Sequence, residues 1–310
     1  MKKDLVSISD LSKDEILGLL ARARELKTEL ASKPRLGLAE GRMAVLIFEK
    51  PSLRTRVAFE VAMRNLSGSA LYLGPSDVGM GKRETVPDVA RNLSRWVSCI
   101  IARVFAHSTV EDLAANATIP VINALSDSEH PCQILADLLT ILDYRGRLEG
   151  AHVTWTGDGN NVCNSLMLAC GLCGINLRVA TPRGFEPPQK FVNLAQEYAG
   201  KSGAEIKVAY DPVEACRDAE FIYTDVWASM GQESEAEQRR KIFRPYQLNK
   251  ELLSRCGKDC KVLHCLPAHR DEEITADVLD GPQSIVLDQA ENRLHAQRAL
   301  LAALLNRPEF

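Results

Sequence analysis

Hydrogen-bond donors follow an apolar run directly in the stretch FEKPSLRTRVAFE, residues 48–60. Ser52, Leu53, Arg54 and Thr55 come after the run, and the apolar spacing of a helix begins at once. Free backbone N–H groups at a helix start, with hydroxyls and a guanidinium, form a site for a doubly charged anion such as phosphate. The alternative is that Ser52 only caps the helix and the arginines lie at the surface. The Walker pattern GxxxxGK[ST] is absent, so a nucleoside triphosphate is not predicted.

Three further polar residues in the first half stand next to apolar runs. Arg103, in IIARVFAHS, ends a strand that would otherwise be buried, and a buried charge is costly, so it is expected to meet an acidic side chain or an anionic ligand. His130 and Gln133 stand at the start of the apolar helix in DSEHPCQILADLL, where both could point toward a carbonyl group. A structural role for the histidine remains the alternative.

A glycine turn in the second half resembles a dinucleotide fingerprint. In VTWTGDGNNVCNSL, Gly157 and Gly159 fit, but Val162 stands at the third glycine position. The next strand also ends without the acidic residue that would bind a ribose. Asn160 and Asn161 are therefore expected to bind a small polar ligand, and an NAD-dependent oxidoreductase is the alternative that rests on this turn.

Two later strand ends have groups that suit an amino acid. Asp225 in YTDVWASMG could bind an ammonium group, and the turn at Ser229 and Met230 offers backbone amides for a carboxylate. Cys265 in VLHCLP could lie at the reacting centre.

The same type of structural element precedes most of these positions. Short apolar runs alternate with helical patterns along the chain, which predicts an α/β fold with parallel sheets covered by helices. Ligands bind beyond the carboxyl ends of the strands in such sheets. The predicted strands are RMAVLIF, SALYL, SCIIARV, IPVIN, HVTWTG, NLRVAT, EIKVA, EFIYTDV, CKVLHCL and SIVLD.

The chain is long enough for two domains, because it has 310 residues. A charged, glycine-containing segment near residue 146 is the predicted boundary. We expect residues 1–145 to form the first domain and residues 146–288 a Rossmann-like second domain. A helix over 289–310 is expected to dock back on the first domain.

Composition argues against nucleic acid and membrane as partners. The formal net charge is −3 and only 5% of residues are aromatic, which suits neither phosphate neutralisation nor base stacking. The first residues, MKKDLVSISD, lack the apolar core of a signal peptide, and the longest nearly apolar stretch, LMLACGLCGINL, is too short to cross a bilayer. We expect a cytoplasmic protein.

The nine cysteines indicate a reducing compartment and mostly buried thiols. A zinc alternative rests on CGLC at 170–173 and CGKDCKVLHC at 256–265. These groupings lack the two closely spaced ligand pairs of a structural zinc site, so no metal is predicted.

In their order along the chain, these motifs resemble the aspartate/ornithine transcarbamylases, and among them the ornithine carbamoyltransferases. The resemblance covers nearly the whole sequence through SLRT, ARV, HPCQ, GDGNN, DVWASMG, HCLP and ENRLHAQ. It implies transfer of the carbamoyl group of carbamoyl phosphate to the δ-amine of L-ornithine, giving citrulline and phosphate without a cofactor. It also implies a homotrimer, in arginine synthesis or in ornithine recovery.

The resemblance assigns roles by position. Arg103, His130 and Cys265 are the implied catalytic residues, with Cys265 orienting groups or relaying a proton rather than acting as a nucleophile. The residues implied to bind carbamoyl phosphate are Ser52, Leu53, Arg54, Thr55, Arg103, His130, Gln133, Cys265, Leu266 and Arg293. Those implied to bind ornithine are Asn161, Asp225, Ser229 and Met230.

Two departures and several alternatives accompany the resemblance. Leu53 stands where threonine is common, and Gly79 stands where many relatives carry a side chain for a neighbouring subunit's site. Alternative acceptors are acetylornithine, putrescine and aspartate, although HCLP argues against aspartate. A protein of this fold that binds ligands without catalysis is the non-enzyme alternative.

Overall fold

The computed structural model describes residues 1–81, 83–228 and 235–306. The chain divides into two compact units. Unit 1 comprises Met1–Leu139 and Glu291–Phe310, and unit 2 comprises Thr140–Ala290. Each unit has one parallel sheet flanked by helices, which confirms the predicted α/β fold.

Unit 1 is built on a four-stranded parallel sheet in the order β2-β1-β3-β4. Its strands are β1 Met43–Phe48, β2 Ser69–Leu73, β3 Cys99–Arg103 and β4 Val121–Leu125. Its helices are α1 Lys13–Ser32, α2 Leu53–Asn65, α3 Pro75–Val78, α4 Val86–Leu93 and α5 His107–Asn116, followed by α6 Pro131–Arg145, which continues into unit 2.

The two central strands of this sheet explain the continuous apolar runs in the sequence. Helices cover both faces of a parallel sheet, so side chains that point to either face are buried. Every residue of β3 is buried, and so is every residue of β1 after Met43. One core cluster packs Val45 and Ile100 against Leu113 of α5.

Unit 2 has a five-stranded parallel sheet in the order β7-β6-β5-β8-β9. Its strands are β5 His152–Thr156, β6 Asn176–Ala180, β7 Ile206–Ala209, β8 Phe221–Thr224 and β9 Lys261–His264. Its helices are α7 Asn161–Cys173, α8 Gln189–Ser202, α9 Pro212–Ala215, α10 Ala236–Phe243, α11 Lys250–Leu253 and α12 Ala276–Leu279, and α13 Val286–Leu305 begins here and continues into unit 1.

The strand order of unit 2 reverses between β5 and β8, as in a Rossmann-like sheet. Open sheets of this kind bind ligands at such a reversal, beyond the carboxyl ends of the strands. The segments that leave these two strands carry the GDGNN turn and Asp225.

One predicted strand is wrong. In SIVLD, Ser284 makes only an isolated bridge to Val262, and α13 begins at Val286 rather than at residue 289. A short apolar run is compatible with a strand or with a buried first turn of a helix, and the long helical pattern that follows decides for the helix. Within the described residues, no helix is long and apolar enough to cross a membrane.

Candidate active site

The SLRT corner of unit 1 lies at the first turn of α2, directly after β1. Ser52 caps this helix, because its Oγ accepts a hydrogen bond from the Thr55 backbone N–H at 3.3 Å. The Ser52 hydroxyl also donates to Thr55 Oγ1 at 3.0 Å. Leu53 is 74% exposed and Arg54 is half-buried, so this helix start offers backbone N–H groups and a guanidinium to an anion.

Helix α13 reaches the same corner through Arg293. The Arg293 Nη2 donates to Thr55 Oγ1 at 2.8 Å, and the arginine is only 3% exposed. Thr55 Oγ1 thus accepts from both Ser52 and Arg293. The proton of the Thr55 hydroxyl is not used in these two bonds, so it can be donated to an oxygen of a ligand.

Arg103 and His130 are both buried in unit 1. Arg103 is the last residue of β3, at a register irregularity between β3 and β4. Burial lowers the pKa of His130 well below its ordinary value, and the positive charges of Arg293 and Arg103 lower it further. The imidazole is therefore neutral at pH 7, and it lies close to two guanidinium groups that favour a negative ligand.

Gln133 lies in the first turn of α6, where its backbone N–H donates to the His130 carbonyl at 3.0 Å. Its side chain is buried, and Nε2 donates to Asp137 Oδ1 at 2.9 Å. The start of α6 also lies near Arg293. Burial raises the pKa of the neighbouring Cys132 thiol to about 12, and the positive charge of Arg293 opposes this shift.

In unit 2, Asp225 is the first residue after β8 and is almost fully buried. Its carboxylate accepts hydrogen bonds from Asn160 Nδ2 at 2.7 Å, from the Val226 N–H at 2.8 Å and from the Cys265 thiol at 2.9 Å.

In the GDGNN turn, Asn160 caps the following helix and Gly159 lies against a neighbouring loop. Asn160 Oδ1 accepts from the Val162 and Cys163 backbone N–H groups and caps α7, and Asn161 is the first residue of that helix. A side chain at Gly159 would place its Cβ 2.3 Å from the backbone nitrogen of Pro187. In a dinucleotide site the corresponding space admits the pyrophosphate, whereas here a protein loop occupies it. This geometry argues against the NAD-dependent alternative.

Asp158 and Arg239 fix the backbone beside Asp225. Arg239 Nη1 lies 3.2 Å from Asp158 Oδ2 and donates to the Trp227 carbonyl at 2.9 Å. Burial raises the pKa of Asp158 to about 6, although the Arg239 charge opposes the shift. The predicted Ser229 and Met230 lie outside the described residues.

The HCLP segment after β9 is held by a buried histidine and glutamate. His264 Nδ1 accepts from the Leu266 N–H at 2.9 Å, so the ring proton is on Nε2, which lies 3.0 Å from Glu273 Oε1. Leu266 has φ +57°, a left-handed conformation that is unusual for leucine. The same Glu273 oxygen accepts from the His269 N–H at 2.6 Å, so one carboxylate holds both ends of this loop.

Ligand atoms of Asp225, His264 and Cys265 lie within 4.8 Å of one another, which is a spacing that a metal ion could use. Both ring nitrogens of His264 are already in hydrogen bonds, and the thiol of Cys265 donates to Asp225. The protein's own hydrogen bonds therefore account for this cluster.

Sequence reasoning missed three residues that position the site: Asp137, Arg239 and Glu273. Each is a charged side chain that the fold buries or nearly buries. Asp137 could have been found, because it stands four residues after Gln133 and its neighbours over residues 134–139 are all apolar. Arg239 and Glu273 carry no such signal, because each lies among other charged and polar residues in the sequence and nothing local indicates that the fold buries it.

Comparison with known proteins identifies the family. Residues 3–143 match the carbamoyl-P binding domain of aspartate/ornithine carbamoyltransferase, and residues 149–304 match its Asp/Orn binding domain. The chain belongs to the aspartate/ornithine carbamoyltransferase family. The resemblance found in the sequence motifs is thereby confirmed.

Members of this carbamoyltransferase family named for ornithine are similar over almost the full chain. An ornithine carbamoyltransferase of Pyrococcus horikoshii is 53% identical over 304 residues, which are 98% of this chain and 96% of that protein. An anabolic ornithine carbamoyltransferase of Pyrococcus furiosus is 52% identical over 99% of this chain and 98% of its own length. The solved ornithine carbamoyltransferase structure from Pyrococcus furiosus has a TM-score of 0.94 with 53% identity, and 96% of each chain is covered.

Proposed function

We propose that this chain transfers the carbamoyl group of carbamoyl phosphate to the δ-amine of L-ornithine and forms L-citrulline and phosphate. One observation carries the proposal. The match to a carbamoyl-P binding domain falls on the stretch that holds the SLRT corner, and the match to an Asp/Orn binding domain falls on the stretch that holds Asp225 and Cys265. The enzyme is a transferase, and the proposed reaction uses no cofactor.

The proposed phosphate site is the start of α2. Ser52 and Thr55 supply hydroxyls, Leu53 its backbone N–H, and Arg54 its guanidinium. The helix N-terminus favours the dianion, and hydrogen bonds from an arginine to phosphate are about twice as strong as neutral ones.

The proposed carbamoyl site lies among Arg103, His130, Gln133 and Arg293. Negative charge develops on the carbonyl oxygen in the tetrahedral transition state, and preorganised donors stabilise it best in a buried site. Arg103, neutral His130 and the unused proton of Thr55 are such donors.

The proposed ornithine site is formed by Asn161, Asp225, Ser229 and Met230. Asp225 provides a buried carboxylate for the α-ammonium group, held in place by Asn160. Cys265 and the carbonyl of Leu266, which we assign also to the carbamoyl phosphate set, orient the δ-amine. The thiol that donates to Asp225 supports an orienting or proton-relaying role for Cys265 and not a nucleophilic one.

The δ-amine must lose a proton before it attacks. If its pKa is near that of lysine, about 10.4, deprotonation at pH 7 costs roughly 4 to 5 kcal/mol. Turnover at saturating carbamoyl phosphate is therefore expected to rise between pH 7 and pH 9. A rate independent of pH over this range would contradict attack by the neutral amine.

Further parts of the proposal concern domains and assembly. We propose that residues 1–145 with the helix over 289–310 form the carbamoyl phosphate domain and residues 146–288 the ornithine domain. We also propose a cytoplasmic homotrimer that serves arginine synthesis, supported by the anabolic name of the Pyrococcus furiosus relative. Gly79 has no side chain that could reach a neighbouring site in such a trimer.

The direct test is to measure citrulline colorimetrically from purified protein, carbamoyl phosphate and L-ornithine. Parallel reactions with acetylornithine, putrescine and aspartate establish the acceptor. Citrulline formation with ornithine preferred over the other amines supports the proposal. Faster carbamoylation of another amine, or no carbamoylation of any, would overturn it.

A further inference from the structure

We propose that Asp137 is a positioning residue that fixes the orientation of the Gln133 amide, so that the site selects a carbamoyl group over an acetyl group. This inference rests on the proposed function and deepens it, because it names the residue that determines which acyl phosphate binds. Asp137 would act through Gln133 without touching the substrate.

The two side chains form one buried contact on α6. They are four residues apart, the spacing that places side chains next to each other on a helix. Gln133 is 1% exposed, Asp137 is 0% exposed, and Gln133 Nε2 lies 2.9 Å from Asp137 Oδ1.

The chemistry of the pair determines which way the amide points. A carboxylate only accepts hydrogen bonds, so the NH2 end of Gln133 must face Asp137 and the carbonyl end must face away. This oxygen, Gln133 Oε1, is buried and has no hydrogen-bond partner among the described residues. Buried polar atoms in proteins are normally hydrogen-bonded, so this oxygen is expected to accept a hydrogen bond from a bound ligand.

A carbamoyl group provides such a donor. Carbamoyl phosphate and acetyl phosphate have the same phosphate and carbonyl groups and nearly the same shape, but one carries NH2 where the other carries CH3. The oriented oxygen of Gln133 accepts from NH2 and is left unsatisfied beside CH3. One such hydrogen bond changes binding by about 5- to 150-fold.

The location of Gln133 supports contact with the acyl group. Its backbone N–H donates to the carbonyl of His130. The imidazole of His130 lies close enough to Arg293 and Arg103 for their positive charges to add to the lowering of its pKa by burial. Arg293 in turn donates to Thr55 at the SLRT corner. The glutamine is therefore one helical turn from groups that surround the proposed carbamoyl site.

The test is the ratio of the dissociation constants of acetyl phosphate and carbamoyl phosphate, measured by calorimetry without ornithine. Inorganic phosphate is a third probe that lacks an acyl group. Asp137→Asn can also donate a hydrogen bond, so it allows the Gln133 amide to flip. Gln133→Met removes the acceptor oxygen and keeps a side chain of similar volume. Asp112→Asn, on the exposed surface of α5, is the matched control for loss of a carboxylate.

We expect both site variants to lower the ratio by about 5- to 150-fold with phosphate affinity unchanged, and the control to keep the wild-type ratio. Asp137→Asn added to Gln133→Met should have no further effect on the ratio, because Asp137 acts through the glutamine. If Asp137→Asn fails to fold, an unchanged ratio in Gln133→Met still overturns the inference, because Asp137 acts only through the glutamine. A purely structural Asp137 would weaken all three ligands alike, and an unchanged ratio in the variants overturns the inference.

This outcome is separable from that of the proposed function. A wild-type protein that forms citrulline while the variants keep the ratio refutes only the role of the pair. A protein that prefers carbamoyl phosphate through this pair but forms no citrulline refutes only the transfer reaction.

Discussion

Replacing Thr55 by valine tests the contact that links α2 to α13. Valine has nearly the shape of threonine but no hydroxyl, so Arg293 Nη2 and the Ser52 hydroxyl both lose the acceptor that they share. A hydrogen bond to a charged group contributes about 1.5 to 3 kcal/mol to stability, and this arginine is buried. For a unit of 150 to 250 residues, that loss lowers the melting temperature by about 3 to 12 °C.

The same substitution should slow catalysis, because it removes the hydroxyl that we propose as a donor to the carbonyl oxygen. Loss of one such donor typically lowers kcat by about 10²- to 10³-fold. Differential scanning calorimetry and citrulline formation measure the two effects separately. Thr55→Ser is the matched control, because it keeps the hydroxyl and should retain most of the rate. Full activity in Thr55→Val, or an equal loss in both variants, would refute the assigned role of the hydroxyl.

Three other predictions follow from burial and charge. Arg103→Ala should lower kcat for citrulline about 10²- to 10³-fold, whereas Arg95→Ala on the exposed surface should not. His130 favours its neutral form when folded, so its contribution to stability is present above its unfolded pKa of about 6.5 and is lost as the pH falls below that value. Urea unfolding at pH 7 and pH 5 should show a smaller difference for His130→Gln than for wild type. Glu273→Leu should raise the KM for ornithine, because His264 loses its acceptor. Glu273→Gln keeps an acceptor for His264 and should leave the KM unchanged. Equal KM values for the two variants would contradict the role of this side chain.

Much of the fold could be predicted because buried parallel strands are continuous in apolar residues. The run SALYL coincides with β2 Ser69–Leu73, and the other runs that became strands differ from the observed ends by one or two residues. The run SIVLD is similarly short and apolar, yet helix α13 begins within it, at Val286. Composition alone cannot separate these cases, because packing with the rest of the chain decides between them.

The candidate site was predictable only where its groups are neighbours in sequence. The cap of Ser52 on Thr55 follows from local spacing, whereas the bond between Thr55 and Arg293 joins residues 238 positions apart. No local pattern places these two together, and the resemblance alone suggested it. Asp137 remained unnoticed for another reason, since an acid inside a helix is ordinarily a solvent-exposed residue.

The contact of Arg293 with Thr55 also bears on the order of events during translation. Thr55 leaves the ribosome early, but all of unit 2, Thr140–Ala290, is synthesised before Arg293 follows. A nascent chain that already carries the SLRT helix therefore lacks one of the cations around it. The proposed phosphate site of unit 1 is therefore completed only after the intervening unit has been synthesised, and a ribosome stalled before that point would carry it without Arg293.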